Sequence, residues 1–152
     1  MKSILLVFVI TFITYSNEIS NIRALYLLAY TSESHCNAFG EELEDTEFRD
    51  SILVQGYQGC FYCIKCNFID NPINKLRYFN KGKDLIESAI MQDPKSVELK
   101  FLRYSIQKNL PRFLLYNNSI EKDLNFVNQN IKNIHDKEVQ VYIRNSLKSI
   151  SK

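Results

Sequence analysis

Between residues 82 and 94 the chain reads Gly82-x3-Ile86-x2-Ala89-x4-Pro94, a spacing that puts two small residues and one branched apolar residue on one face of a helix. Small side chains at Gly82 and Ala89 let a neighbouring helix approach closely, and Ile86 fills the contact. Asp93-Pro94 then ends this helix and opens the next. A helix built this way needs a partner helix, so the segment constrains the fold more than any other.

The rest of the chain keeps the helical period. Leu25, Ala29, Ser32, Cys36, Phe39 and Leu43 follow Ile22 in a three–four alternation that predicts one long first helix. A second helix is expected from Asp50 to Phe68, with Leu53, Gly56, Cys60 and Cys63 on one face and Ile52, Gly59, Tyr62 and Cys66 on another. Two apolar faces suit a helix sandwiched between neighbours. The third runs from the Asn71-Pro72 cap to Met91, and the fourth from Asp93-Pro94 to about Lys108.

The segment Asn109–Asn117 contains Pro111 and reads as a bent connection, with Phe113, Leu114, Leu115 and Tyr116 packed down. Asn118-x-x-Glu121 fits a capping box for a fifth helix carrying Ile120, Leu124, Val127, Ile131 and Ile134. Asp136 opens a sixth with Val139, Ile143 and Ile150. Four glycines and three prolines are too few for the turns of a β-protein. The expectation is an all-α fold of five to six helices.

Met1-Lys2, the uncharged run Ile4–Thr14 and the small residues of Thr14-Tyr15-Ser16 form the pattern of a secretory signal, with cleavage expected between Ser16 and Asn17. The run is shorter than the ~20 residues that span a bilayer as a helix. The expected organisation is therefore a signal peptide at 1–16 and a single domain at 17–152, exported to the periplasm or envelope, with no transmembrane span in the mature chain. Loss of Lys2 takes the formal charge from +2 to +1, so nucleic acid is a poor partner.

The block Gly82–Leu99 resembles the tetratricopeptide (TPR) superfamily. The wider set Gly56-Tyr57, Asn71-Pro72, Lys75, Tyr78-Phe79-Asn80-Lys81-Gly82, Glu98, Phe101-Leu102-Arg103 and Ile120-Glu121-x-Asp123 resembles small exported TPR-like proteins of Gram-negative bacteria. Where the TPR pattern has Leu-Gly-x2-Tyr, this chain has Gly56-Tyr57 in another register. The resemblance implies stacked antiparallel helical hairpins that bind a protein or peptide in a concave groove, without a cofactor.

Four cysteines leave alternatives open. Cys60-x2-Cys63-x2-Cys66 has the text of a metal- or cluster-binding run, yet on a continuous helix the three Cβ atoms spread along about 9 Å of axis. Metal binding or thiol-redox work by Cys60, Cys63 and Cys66 is the alternative function. A hairpin turning near residue 48 would set Cys36 opposite Cys60 as a disulfide candidate in an oxidising compartment. The simplest reading makes all four small apolar packing residues.

No other catalytic constellation is present. His35 and His135 lie near no nucleophile in a known arrangement, and there is no phosphate-binding glycine loop, H-E-x-x-H or Ca²⁺ loop. Lys75, Arg77, Lys81 and Lys83 load the third helix with positive charge, followed by Lys100 and Arg103, with Tyr78 and Tyr104 among them. Lys75, Tyr78, Lys81 and Arg103 are the candidate partner-binding residues, suited to an acidic peptide. The alternative is a solvated face paired locally with Asp84, Glu87 and Glu98.

Overall fold

A computed structural model describes residues 2–111 and 114–150, and side chains from Thr14 onward. Among the described residues there are seven α-helices and no strand: α1 Lys2–Leu28, α2 Glu33–Asp45, α3 Ile52–Lys65, α4 Pro72–Gln92, α5 Val97–Asn109, α6 Ile120–Asn130 and α7 Lys137–Ile150. Short 3₁₀ turns extend α3 over Cys66–Phe68 and α6 over Ile131–Asn133. No helix is long and apolar enough to cross a membrane among the described residues.

The count exceeds the expected five to six partly because the stripe Ile22–Leu43 is two helices. Thr31 donates its hydroxyl to the Leu28 carbonyl (2.7 Å), and Ser32 accepts from the His35 N–H as the N-cap of α2. The chain reverses there, so Glu18 on α1 meets Thr46 beyond α2, and Tyr15 meets Phe48 edge-to-face. Periodicity survives because both helices face one core: Ile19, Ile22, Tyr26 and Ala29 from α1, and Cys36, Phe39 and Leu43 from α2.

Other boundaries follow local chemistry. Asn71 caps α4 through the N–H groups of Ile73 and Asn74, with Pro72 at the first turn. Pro94 lies in the turn before α5, and Ser96 rather than Asp93-Pro94 caps that helix by accepting from the Leu99 N–H. The expected box at Asn118 does not form. α6 begins at Ile120 with no side-chain cap, and the preceding Ser119 N–H donates to Gln107 Oε1 on α5. Asp136 accepts from the N–H groups of Glu138 and Val139 at the start of α7.

The pairs α1–α2, α2–α3 and α3–α4 run antiparallel, α5 packs on α6, and α7 lies against α5. Lys65 reaches Glu33 and Asn37 across α2–α3, Gln92 reaches Gln55 across α3–α4, and Arg103 reaches Asp123 across α5–α6. The closest approach is between α3 and α4. A Cβ built on Gly82 would stand 2.6 Å from the Gly59 carbonyl oxygen and 2.8 Å from the Cys63 nitrogen, and one on Gly59 would stand 2.7 Å from the Gly82 oxygen. Only glycine fits on either side of that seam, where backbone meets backbone. α5 is the axis of the bundle, buried on every side from Glu98 to Gln107.

Candidate functional site

A helix buried all round would ordinarily be apolar, yet α5 carries Glu98, Lys100 and Arg103 inward. Each is satisfied. Glu98 takes a bidentate pair from Arg23 of α1, 2.8 Å on each oxygen, and a 2.6 Å hydrogen bond from the Tyr57 hydroxyl of α3. Arg103 donates through Nε and Nη2 to Asp123 of α6 (2.6 and 2.8 Å) and through Nη1 to Glu87 of α4 (2.7 Å). Tyr116 adds a hydrogen bond to the other Glu87 oxygen at 2.7 Å. Lys100 extends over the Phe126 ring, 4.7 Å from its centroid.

For both guanidinium groups burial disfavours the charged form, but the hydrogen bonds and charges of their carboxylate partners outweigh it and hold the pKa above the ordinary value. These clusters fasten α1, α3, α4 and α6 to α5. Among the described residues no buried side-chain oxygen or nitrogen lacks a partner, so the clusters offer a ligand no unfilled hydrogen bond. They hold the bundle together, and they leave Arg103 buried.

Arg103 therefore does not stand with the other expected partner-binding residues. Tyr78 is half-buried with its ring 5.6 Å from that of Tyr62, and the Lys81 ammonium sits over Tyr62, 2.6 Å from its hydroxyl and 3.9 Å from the ring centroid. Lys75 is exposed and lines a different feature. Pro72, Lys75, Leu76 and Phe79 of α4, Cys66 and Asn67 before it, and Leu110, Pro111 and Leu114 after α5 enclose a groove of about 450 Å³.

The groove lining is mostly apolar, and large aliphatic side chains at or next to it in sequence lie in solvent. Ile73 is 78% exposed and Leu76 52%. Leu115, expected to pack down, is 83% exposed and holds a left-handed backbone at φ 52°. That conformation costs a leucine about 1–2 kcal/mol. Leu114 is half-buried in the groove and Tyr116 is buried against Phe79, so the left-handed turn keeps its two neighbours inward while Leu115 faces out. Phe113 lies outside the described residues.

The groove was not legible as a site. Leu76 and Phe79 fall inside the third expected helix, and Leu110, Pro111 and Leu114 in the connection after the fourth. The only sequence signal was an apolar cluster around Pro111, where a connection would ordinarily be polar.

All four cysteines are buried free thiols in the structure. The register of α2 against α3, with Lys65 between Glu33 and Asn37 and Phe61 against Gly40, brings Cys36 level with Ile64, about one turn from Cys60. Burial pushes the thiols of Cys36 and Cys66 up to about 11, and those of Cys60 and Cys63 up as well. Neutral thiols are poor nucleophiles and ligands. Cys66 instead donates to the carbonyls of Tyr62 and Lys75, each at 3.3 Å, tying α3 to α4 at the groove's edge. No three His, Cys, Asp or Glu side chains are grouped to hold a metal among the described residues.

No protein-family model, curated protein or solved structure matches this chain.

Proposed function

We propose that this chain is an exported, TPR-like scaffold of stacked helical hairpins that binds a protein or peptide partner and carries no chemistry of its own. The observation that carries the reading is the apolar groove beside α4, with large aliphatic side chains held in solvent on its margins. Monomeric proteins rarely keep such continuous apolar surface without a use for it. The antiparallel run of α1 to α4 and the glycine seam of α3–α4 are in keeping with hairpin stacking.

Export rests on residues 1–16. A chain starting at Asn17 keeps the α1 side chains that enter the core, Ile19, Ile22 and Tyr26, together with the Arg23–Glu98 pair, and gives up the Tyr15–Phe48 contact. The test is photo-cross-linking from position 76 in the host's envelope, read by intact mass. We expect one defined adduct on a chain beginning at Asn17, absent when the probe is moved to the exposed Met91. Equal labelling from both positions would remove the groove from the reading, and a chain retaining residues 1–16 in the cytosol would remove export.

A further inference from the structure

Resting on that reading, we infer that the groove's occupant is an amphipathic helix with acidic flanks, the aliphatic stripe lying in the groove and carboxylates meeting Lys75 and Lys108. Shape selects a helix. The α4 part of the floor, Pro72 to Phe79, covers two turns and about 10 Å of axis, which matches anchors at i, i+4 and i+7 of a docked helix. A small amphiphile could fill about 450 Å³. It would leave Ile73 and Leu115, which do not line the groove, in water, whereas a helix roughly 10 Å across reaches beyond the lining.

Charge selects the sign. Among the described residues the groove lining contains Lys75 and no carboxylate. The adjoining concavity, sharing Leu110 and Pro111 and continuing to Tyr116 and Ile120, contains Lys108 and again no carboxylate. Lys83 of α4 holds its ammonium 5.9 Å from the ring of Tyr116, which lines that concavity. None of these three lysines is in an ion pair among the described residues. Two nearby acids are engaged, Glu87 by Arg103 and Tyr116 and Glu98 by Arg23 and Tyr57, while the exposed Asp84 and Glu121 adjoin Lys83 and Ile120 in sequence. Asp70, two residues before Pro72, is the one carboxylate next to the groove in sequence.

The test uses three designed four-turn peptides with one leucine stripe, flanked by Glu, Gln or Lys, titrated against the full chain by fluorescence anisotropy. The Glu peptide should bind about tenfold tighter than the Gln peptide at low salt. That advantage should shrink toward 0.5 M salt, on the order of the concentration that screens exposed charges. Lys75→Glu should reverse the order of the Glu and Lys peptides, and Leu76→Asp should abolish binding of all three. Both positions are exposed, and unchanged far-UV circular dichroism would verify that the variants fold.

Equal affinity for the three peptides, or a preference untouched by Lys75→Glu, would overturn the acidic occupant and leave the groove intact. Failure of every peptide to bind, with dodecanoate binding instead and lost in Leu76→Asp, would overturn the helix in favour of a lipid-like ligand. Failure of both probes, with position 76 giving no adduct, would overturn the groove reading itself.

Discussion

The α3–α4 seam and the α5–α6 junction hold one bundle together by opposite means. In the seam, Gly59 and Gly82 remove side chains until two backbones touch. At the junction, Arg103 and Asp123 place full charges where water does not reach, Asp123 being 0% exposed. The seam gains from dispersion and apolar burial, which need only shape. The junction gains only while both partners are present, because each charge alone carries a desolvation cost of several kcal/mol. Apolar packing therefore sets how close helices come, and paired charge sets which helix goes where.

Removing one partner of the charged junction should give the largest effect. Arg103→Met leaves Asp123 buried and unpaired, and should lower stability by about 3–5 kcal/mol in urea denaturation followed by circular dichroism. Adding Asp123→Leu should restore part of that loss, since the double variant buries no orphan charge. A single-variant cost under about 1 kcal/mol would mean the pair contributes no more than a surface ion pair. Paired charge would then not be what holds α5 to α6.

The seam should respond next. Gly82→Ala forces a methyl into backbone atoms and should cost about 1–3 kcal/mol, despite alanine's advantage of roughly 1 kcal/mol in a helix interior. Gly56→Ala should cost less, because its nearest obstacle is the Leu99 Cδ2 end of a side chain, which can turn aside. Equal costs would show that the limit on approach is not the backbone contact.

A further effect is a pH dependence that belongs to the apolar side. Cys36 and Cys66 titrate near 9 when unfolded, and burial raises both to about 11 in the fold. Below pH ~9 both states hold neutral thiols and the full stability is present. Between about 9 and 11 the unfolded thiols ionise first, so stability falls as pH rises. Denaturation midpoints at about pH 8 and 10.5 should converge in a Cys36→Ala/Cys66→Ala variant relative to the parent. An unchanged difference would mean those thiols are not sequestered.

How much was legible beforehand follows the same division. The second and third expected helices, Asp50–Phe68 and Asn71–Met91, lie within a few residues of α3 with its 3₁₀ turn and of α4. Their stripes and the Asn71-Pro72 cap are local features. The stripe from Ile22 to Leu43 misled because two helices packed on one core preserve the period through their turn, and only the Ser32 cap marks the break. Arg103 was placed on a surface because one sequence cannot reveal that Asp123 and Glu87, on other helices, converge on it.

By itself the sequence determined that this protein is helical, where most helices run and which faces are apolar, because those properties depend on contacts within a few turns. Only the tertiary structure decided which charges are buried, which apolar residues stay in water and how the cysteines align. Those outcomes depend on register between helices, and a shift of one turn, about 5.4 Å, exchanges every partner across an interface.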